Sequence, residues 1–322
     1  MMKRQILLTI IAVLAGVFPA GAAEAPSGRK WPDAADGFAS VNAMGRNGTT
    51  GGAGGKTVTV TTREELEKYA GAKEPYIIRV KGTIAMDVKG PVAVEVASDK
   101  TIIGVGKNAE LVKGGLYVGG FHHPKGHNII IRNLSIHHSP DDGVTIDASH
   151  HIWVDHCHFY RNGDGCIDSR HDTTYLTVSW CIFSDHHKTF GIGWTPNLTA
   201  QITLHHNWFR NTVSRNPSAD NILRAHLYNN YLYGVVSGNH SRGRTNMILQ
   251  NSLFEKANNP LMLDTGTLVE TGCIFRNTRG RTERRGPAFF DPGKFYQYTL
   301  DKAEDLPKIL AKYAGPQENI GQ

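Results

Sequence analysis

The chain has 322 residues, of which 40% are hydrophobic and 20% charged, with a formal net charge of +6 and an isoelectric point near 9.1. This composition excludes a disordered chain, a collagen-like repeat and a coiled coil, and the length is ample for a sizeable core. The mild basic excess permits an acidic ligand without requiring one.

The N-terminus has the pattern of a secretory signal peptide. Lys3 and Arg4 precede an apolar run over residues 6–18, and small residues follow at positions 19–23. The run is short for a membrane span. We therefore predict a signal peptide over residues 1–23, one mature domain over residues 24–322, and export to the periplasm or the extracellular space with no membrane attachment after cleavage. A retained N-terminal anchor is the alternative.

The segments that precede the centre of the chain read as short strands and one helix. Residues 24–54 are rich in Gly, Ala and Asn, which is typical of extended surface chain. The strand at residues 57–61 is followed by a predicted helix over residues 63–70. Residues 76–80, 83–88 and 101–105 are predicted to be strands of the first coils of a larger repeat.

The centre of the chain repeats with a period of 22 to 26 residues. Units of eight residues begin at Ile129, Ile152, Leu176, Ile202, Ala225 and Met247, with a weaker copy over residues 268–275. Most have apolar residues at positions 1, 3 and 8, which indicates a period-two strand followed by a bend. A repeat of this length with short strands and no long helix indicates a solenoid.

The units favour an all-β, right-handed, single-stranded parallel β-helix with short capping helices. Their strands are rich in β-branched residues and their connections in Asn, Asp, Gly and His, unlike a leucine-rich repeat. Coils stacked about 4.8 Å apart would place equal positions in columns, position 8 being an apolar spine and positions 5 and 6 polar bends. A helix over residues 304–313 is expected to cover one end of the solenoid. Cys157 and Cys181, equivalent in adjacent coils, come within disulfide range, although free thiols are equally consistent with this stacking.

Three acids lie near the second and third coils of the repeat. Asp142 lies in the turn before the strand that begins at Ile152, and Asp164 and Asp168 precede the strand that begins at Leu176. Stacked turns would bring the three carboxylates together, and hard oxygen ligands suit Ca²⁺. Solvated turn acids are the alternative, because Asp is common in turns.

Two basic residues follow these acids, each one coil further along the chain. Lys188 follows the next strand and Arg215 follows the strand after that. If the turns stack, acids and bases lie side by side on one surface. A metal ion held beside Lys and Arg would suit a polyanionic substrate.

The sequence resembles the pectate lyases of polysaccharide lyase family 1 over nearly the whole mature chain. The resemblance depends on an ordered set of motifs: Gly37-Phe-Ala, Gly51-Gly-Ala-Gly-Gly-Lys-Thr-Val-Thr-Val, Thr101-Ile-Ile-Gly-Val-Gly, Asn128-Ile-Ile-Ile-Arg-Asn-Leu, residues 142–147, Ile152-Trp-Val-Asp-His156, Asp164-Gly-Cys-Ile-Asp168, His187-Lys188, Leu204-His-His-Asn-Trp-Phe209, Arg215-Asn-Pro and His226-Leu-Tyr-Asn-Asn230.

This resemblance implies a role for individual residues. Asp142, Asp164 and Asp168 match positions that bind Ca²⁺. Lys188 matches a lysine that contacts the substrate carboxylate, and Arg215 matches the arginine proposed to remove the C5 proton. Arg242 approximately matches another substrate-binding arginine, whereas the repeat positions of Trp153, Asp155 and His156 suggest a role in architecture.

The sequence departs from the family in one place. The family usually has a second arginine five residues after the catalytic one, and here that position is Asp220. The stretch from Arg215 to His226 is also one residue longer than usual. Arg224 is therefore a candidate replacement for substrate binding.

The implied activity is Ca²⁺-dependent β-elimination on α-1,4-linked polygalacturonate (pectate) by a secreted monomer, giving 4,5-unsaturated oligogalacturonides. Pectin lyase activity on methyl-esterified pectin is the nearest alternative, and the three acids favour the pectate enzyme. A non-catalytic carbohydrate-binding β-helix is a second alternative, which the presence of Asp220 at the usual arginine position leaves open.

Two other classes of function have weaker signals. Adjacent histidine pairs suggest a transition-metal site, but neighbouring residues on a strand point to opposite faces. Five arginines between Arg276 and Arg285 would suit phosphate, but an exported chain is not expected to bind nucleic acid.

Overall fold

A computed structural model describes residue 31, residues 33–86 and residues 92–322 of the chain. The predicted signal peptide lies outside these residues. The chain divides into residues 1–32 and a compact unit of residues 33–322, and the fold described below is that of the second unit. Within the described part of the chain, no helix has the length and apolar character needed to cross a membrane.

The secondary structure of this unit consists almost entirely of short strands. The first strands are β1 (Asn42–Ala43), β2 (Arg46–Asn47), β3 (Lys56–Val60), β4 (Tyr76–Val80), β5 (Thr83–Ala85), β6 (Ala93–Val96), β7 (Lys100–Gly104), β8 (Glu110–Val112), β9 (Gly115–Val118), β10 (His127–Arg132), β11 (Ser135–His137), β12 (Val144–Asp147), β13 (His150–Asp155) and β14 (His158–Tyr160). The later strands are β15 (Gly165–Arg170), β16 (Thr174–Ser179), β17 (Ile182–Gly193), β18 (Gln201–His205), β19 (Trp208–Ser214), β20 (Ser218–Asp220), β21 (Arg224–Tyr228), β22 (Tyr231–Tyr233), β23 (Asn239–Arg242), β24 (Asn246–Gln250), β25 (Leu253–Glu255), β26 (Leu261–Leu263), β27 (Thr267–Thr271) and β28 (Ile274–Arg276).

The helices are few and short. The described residues form two α-helices, α1 (Arg63–Ala70) and α2 (Leu306–Tyr313), and three 3₁₀ turns at Gly37–Ser40, Pro292–Lys294 and Ala303–Asp305. Helix α1 begins with a capping box, in which Thr62 and Glu65 satisfy each other's backbone N–H groups. The helix predicted over residues 63–70 is therefore confirmed.

The strands stack into three parallel faces. Face A has the order β3-β4-β7-β10-β13-β16-β18-β21-β24-β27. Face B has the order β5-β8-β11-β14-β17-β19-β22-β25-β28, and face C the order β6-β9-β12-β15-β17-β20-β23-β26. The long strand β17 belongs to both B and C. Among the described strands, only β1 and β2 pair in antiparallel fashion, so the predicted parallel β-helix is confirmed.

The predicted apolar spine is present on face B. The strand register places one residue per coil in a single column: Ile136, Phe159, Phe183, Phe209, Leu232, Phe254 and Phe275. The Phe183 and Phe209 rings stack with centroids 4.8 Å apart and planes 14° from parallel. The six earlier side chains are fully buried, so this column forms part of the core.

The bends between faces A and B explain the polar residues at positions 5 and 6. Each position-5 residue has a left-handed backbone, with φ between 42° and 61°: Asn133, His156, Trp180, His206, Asn229 and Asn251. At position 6, Asn207 Oδ1 accepts from the Cys181 N–H, and Asn230 Oδ1 accepts from the Asn207 N–H, both at 3.0 Å. This ladder satisfies backbone donors that the bend takes out of the sheets. The four cysteines are free thiols.

The helix predicted over residues 304–313 is α2, but the expectation that it covers one end of the solenoid is wrong, because α2 packs against β22 and the C-terminal segment lies along these bends. The Gly315 N–H donates to the Trp180 carbonyl oxygen, and the Gln317 N–H donates to Asn133 Oδ1. The bend residues point polar groups outward, which gives this segment its partners. The N-terminal segment also differs from the surface chain expected for residues 24–54, because Phe38 and Ala39 are fully buried against face A.

Candidate active site

Carboxylates from two adjacent coils converge at the start of face C. Asp142 lies just before β12 and Asp164 just before β15. One oxygen from each of Asp141, Asp142 and Asp164 lies within 4.8 Å of the others. Asp142 is buried, and its two carboxylate oxygens accept from the Gly165 N–H at 2.7 Å and the Thr145 hydroxyl at 2.9 Å. The structure thus brings together two of the three predicted acids and adds Asp141, which sequence reasoning missed although it adjoins Asp142.

Asp168 lies on the outer side of face C, next to this group. Strand register aligns it with Thr145, Gly191 and Ser218 of the neighbouring coils. A Cβ atom at position 165 would lie 2.7 Å from Asp142 Oδ1 and 3.1 Å from Asp168 Oδ1, so Gly165 marks where the two carboxylates approach. All three predicted ligands therefore face one region.

The electrostatics of these acids favour a bound cation. Burial, reinforced by the nearby carboxylate of Asp142, raises the pKa of Asp168 to about 7. Burial also raises the pKa of Asp142, against the bonds from Gly165 and Thr145. Buried like charges repel each other and lose hydration. The residues present therefore fit a hard cation such as Ca²⁺, which prefers carboxylate oxygens.

The two predicted basic residues contact these acids directly. Lys188 Nζ lies 2.6 Å from Asp164 Oδ1, and this hydrogen bond is the main reason that the pKa of Asp164 is lowered. Arg215 Nη1 lies 3.5 Å from Asp168 Oδ1. Both side chains are partly exposed. The two coils that carry the acids are thus followed by the two coils that carry the bases, as the repeat predicts.

The two other predicted arginines lie on different faces. Arg242 ends β23 on the outer side of face C, in register with Asp220, and its Nε lies 3.7 Å from Asp264 Oδ2. Arg224 begins β21 on face A, where its Nη1 donates to Gln201 Oε1 and its guanidinium packs over the Phe295 ring. The bend before β21 carries Arg224 away from the cleft, so it does not replace the arginine that the family usually has at position 220.

Three cavities adjoin these acids and bases; the first and third lie along face C and the second lies at the bend between faces B and C. The first, of about 260 Å³, is lined by Asp141, Asp142, Asp164, Tyr117 and Arg170 among others. The second, of about 550 Å³, adjoins Lys188, His186 and His187. The third, of about 310 Å³, adjoins Arg215 and Arg242. A cleft of this length suits a chain of several sugar units.

Arg170 and Tyr117 are cleft residues that the sequence analysis missed. Both bind Asp147: Arg170 through two bonds of 2.8 and 2.9 Å, and Tyr117 through its hydroxyl at 2.7 Å. Arg170 lies two residues after Asp168 on β15. Strand alternation therefore puts it on the same outer side, a signal that could have identified it.

A structural role is what the contacts of Trp153, Asp155 and His156 indicate, as their repeat positions suggest. The Asp155 carboxylate is buried and accepts from Arg132 Nε at 2.8 Å and from the Ser179 hydroxyl at 2.7 Å. Burial opposes its ionisation, but His156 and Arg132 hold the pKa of Asp155 below its usual value. Trp153 donates to the Ser179 hydroxyl, which completes a buried network on face A.

The histidine pairs do not assemble a transition-metal site within the described residues. The group of Asp141, Asp142 and Asp164 is the one set of three or more His, Cys, Asp or Glu side chains there that has metal-binding spacing. Several histidines instead stack on aromatic rings of the next coil, as His205 does on Tyr228.

Comparison with known proteins gives the family. A family model described as pectate lyase matches residues 8–267. The chain belongs to the pectate lyase family. The members of this family are polysaccharide lyases, and the chain is an enzyme of that class.

Individual members of the pectate lyase family match the chain nearly end to end. The chain is 33% identical to a pectate trisaccharide-lyase of Thermotoga maritima over 360 residues, which covers 96% of this chain and 93% of the relative. It is 34% identical to a pectate trisaccharide-lyase of Bacillus licheniformis over 336 residues, with 96% and 95% covered. The crystal structure of a Bacillus pectate lyase in complex with trigalacturonate superposes with a TM-score of 0.77 at 28% identity, covering 88% of this chain and 98% of the other.

Proposed function

We propose that this enzyme cleaves pectate by Ca²⁺-dependent β-elimination and releases 4,5-unsaturated oligogalacturonides. The observation that carries the proposal is the convergence of Asp142, Asp164 and Asp168 with Lys188 and Arg215 in one cleft. Relatives named pectate trisaccharide-lyase and a neighbour solved with trigalacturonate support the substrate class.

Each group in the cleft has a chemical role in this proposal. Asp142, Asp164 and Asp168 would hold Ca²⁺, with Asp141 beside them, and the bound ion would neutralise the C6 carboxylate of the sugar being cleaved. Lys188 pairs with the same carboxylate and stabilises the negative charge that develops as the C5 proton leaves. Arg242 contacts a sugar further along the substrate chain.

Arg215 takes the C5 proton. The C5–H electron pair becomes the C4–C5 double bond, the C4–O bond breaks, and the departing oxygen takes a proton from water. Arginine in water keeps its proton far above neutral pH. Transfer of the C5 proton to Arg215 is therefore favoured at alkaline pH and when further cations lie nearby. We expect the activity of the enzyme to have an alkaline pH optimum.

The location and assembly of the enzyme are part of the proposal. The charged, apolar and small-residue pattern of residues 1–23 supports export, to the periplasm or outside the cell, and the chain is proposed to act as a monomer. Detection of the mature protein, cleaved after residue 22 or 23, in the periplasmic or culture fraction would support export. An uncleaved chain in the cell pellet would count against it.

The decisive experiment follows ultraviolet absorbance of the unsaturated product when the purified protein meets polygalacturonate at alkaline pH. We expect an increase with Ca²⁺ that a chelator stops. An increase that ignores the chelator, or that requires methylated pectin, would favour a pectin lyase. Binding without any product would favour a carbohydrate-binding protein. A variant with a substitution at an exposed position before α2, Glu304→Gln, should give the same increase as the wild-type protein and is the control for the variants described below.

A further inference from the structure

The cavity beside Arg215 has an unusual lining for a cleft that binds a polyanion. It has a volume of about 310 Å³ and is lined by Gly191, Ile192, Trp194, Arg215, Ser218, Asp220 and Arg242. Its strands β17, β20 and β23 continue face C beyond Asp168, in the direction of the C-terminal coils. A sugar bound here would therefore belong to the same chain as the one held at the acids, next to the bond that is cleaved.

Trp194 presents an exposed aromatic surface in this cavity. The side chain is 46% exposed although it is a large apolar group. Its ring lies 5.3 Å from the Arg215 guanidinium, and a Cβ atom at position 191 would come within 2.4 Å of Trp194 Cη2. The indole thus lies directly against a glycine, where a Cβ of any other residue would displace it. Aromatic faces of this kind pack on the C–H faces of sugars and on methyl groups.

The loop that follows Trp194 holds the indole in place. The Asp172 carboxylate accepts from the Thr195 hydroxyl and from Asn197 Nδ2, each at 2.7 Å. Asn221 Nδ2 donates to the Thr195 carbonyl oxygen at 2.9 Å. These contacts anchor the loop next to Trp194 before a ligand arrives, so that little ordering of the backbone is required on binding.

Asp220 brings a carboxylate into this cavity that neither of the two arginines lining the cavity contacts. It is half-buried on the outer side of face C, in register with Arg242. Within the part of the chain that the structure describes, no hydrogen bond or ion pair reaches its carboxylate. Arg242 instead approaches Asp264, and Arg215 approaches Asp168. A carboxylate without a counter-ion accepts hydrogen bonds from hydroxyls and repels a second carboxylate.

We propose that this cavity is a sugar subsite that selects an uncharged, methyl-esterified galacturonosyl residue beside the free galacturonate that is cleaved. The esterified residue brings no charge against Asp220, its hydroxyls can donate to that carboxylate, and its methyl ester and C–H groups can pack on Trp194. The inference rests on the proposed function. It makes partly methyl-esterified pectate, rather than fully de-esterified pectate, the preferred substrate.

The test compares kcat/KM on fully de-esterified polygalacturonate and on a partly methyl-esterified pectin, both with Ca²⁺. We expect the wild-type enzyme to prefer the esterified polymer. Asp220→Asn keeps the shape and removes the charge. It should raise kcat/KM on the de-esterified polymer by about tenfold, because a like-charge contact is lost, and should change kcat/KM on the esterified polymer by a smaller factor, because Asn Oδ1 still accepts from a hydroxyl. Glu304→Gln should leave both values unchanged.

A second pair of variants tests the aromatic surface. Trp194→Ala should raise KM on the esterified polymer by about fivefold, and Trp194→Phe should restore most of the loss, because a ring face remains. If Asp220→Asn changes both substrates equally or changes neither, the inference is wrong. If Trp194→Phe raises KM on the esterified polymer as much as Trp194→Ala does, the proposed stacking of the sugar on the ring is wrong as well.

Failure of the proposed function would be distinguishable from failure of this inference. Absence of unsaturated product from either polymer would overturn the function alone. In that case calorimetric binding of trigalacturonate and of its methyl ester to the wild type and to Asp220→Asn tests the subsite directly. Tighter binding of the ester by the wild type, lost in the variant, would support the subsite; equal affinities would overturn it.

Discussion

Lys188 Nζ lies 2.6 Å from Asp164 Oδ1, so a base proposed for the substrate is bonded to an acid proposed for the metal. Both side chains are about two-fifths exposed. The ammonium and a cation at the acid group compete for the same carboxylate. Binding of Ca²⁺ would therefore release Lys188 toward the substrate, which couples the metal to the group that meets the sugar carboxylate.

Because of this competition, removal of the Lys188 side chain should strengthen metal binding but slow turnover. Lys188→Ala should tighten Ca²⁺ binding by about threefold to tenfold, because a neighbouring positive charge is removed. The same change should lower kcat by at least about 100-fold, since the developing charge loses its partner. Calorimetry with Ca²⁺ and the product assay measure the two effects, and Lys188→Arg is the charge-preserving control. Weaker Ca²⁺ binding by Lys188→Ala would contradict the competition.

The acid group is expected to be required for the metal. Asp164→Ala removes one of three converging carboxylates, which should weaken Ca²⁺ binding by at least about tenfold and abolish the Ca²⁺-dependent activity. Glu304→Gln, which removes an acidic charge at an exposed position before α2, is the control for loss of charge. Full activity of Asp164→Ala in the presence of chelator would defeat the metal assignment.

Arg215 is expected to act in turnover and not in metal binding. Arg215→Lys should lower kcat by about 10²-fold to 10⁴-fold, the range for loss of a positioned acid or base, while Ca²⁺ affinity changes little. The pH–rate profile of the wild type should rise toward alkaline pH. A wild-type profile with its maximum below pH 6 would count against Arg215 as the base.

The Asp155 network should contribute to stability alone. Asp155→Ala removes the buried carboxylate that pairs with Arg132 and leaves this arginine with the exposed Asp33, which should lower the free energy of unfolding by about 3–5 kcal/mol. Urea denaturation measures this loss. The folded fraction should retain the kcat of the wild type, because the network lies on face A. A large loss of kcat at full stability would make Asp155 a functional residue.

Acid should destabilise the enzyme through three histidines that are partly or fully buried. Burial lowers the pKa of His226 to about 3, and those of His150 and His158 to about 4, against about 6.5 in the unfolded chain. At a pH between the folded-state pKa and the unfolded-state pKa of a histidine, the unfolded state binds more protons than the folded state. Stability is therefore fully present above pH 6.5 and declines as the pH falls toward 3, by up to about 1.4 kcal/mol per pH unit for His226 and by less for the partly exposed His150 and His158.

The contribution of His226 can be isolated by substitution. Its ring bonds to the Tyr296 hydroxyl and to Gln250 Oε1, so His226→Gln removes the titration at some cost in packing. The denaturation midpoint of this variant should fall less steeply from pH 6.5 to 4 than that of the wild type. His171→Asn, at an exposed bend, should keep the wild-type slope. Identical slopes for all three proteins would refute the assignment to His226.

Much of the fold followed from the repeat in the sequence. The starts of the units at Ile129, Ile152 and Leu176 predicted a column at position 8, and the strand register confirms it. Such periodicity is reliable because a solenoid coil packs only on its neighbours, so that one-dimensional spacing fixes three-dimensional proximity. The family motifs then indicated which turns carry chemistry.

The sequence by itself determined the parallel β-helix, the family and the succession of acids and bases in neighbouring turns, because these depend on spacing along the chain. Only the tertiary structure decided which groups meet: Asp141 joins the acids, Arg224 leaves the cleft, and Trp194 and Asp220 share a cavity. The bends decided these outcomes. A single left-handed residue redirects the chain from one face to another, and the direction of a side chain after a bend depends on packing between coils rather than on local pattern.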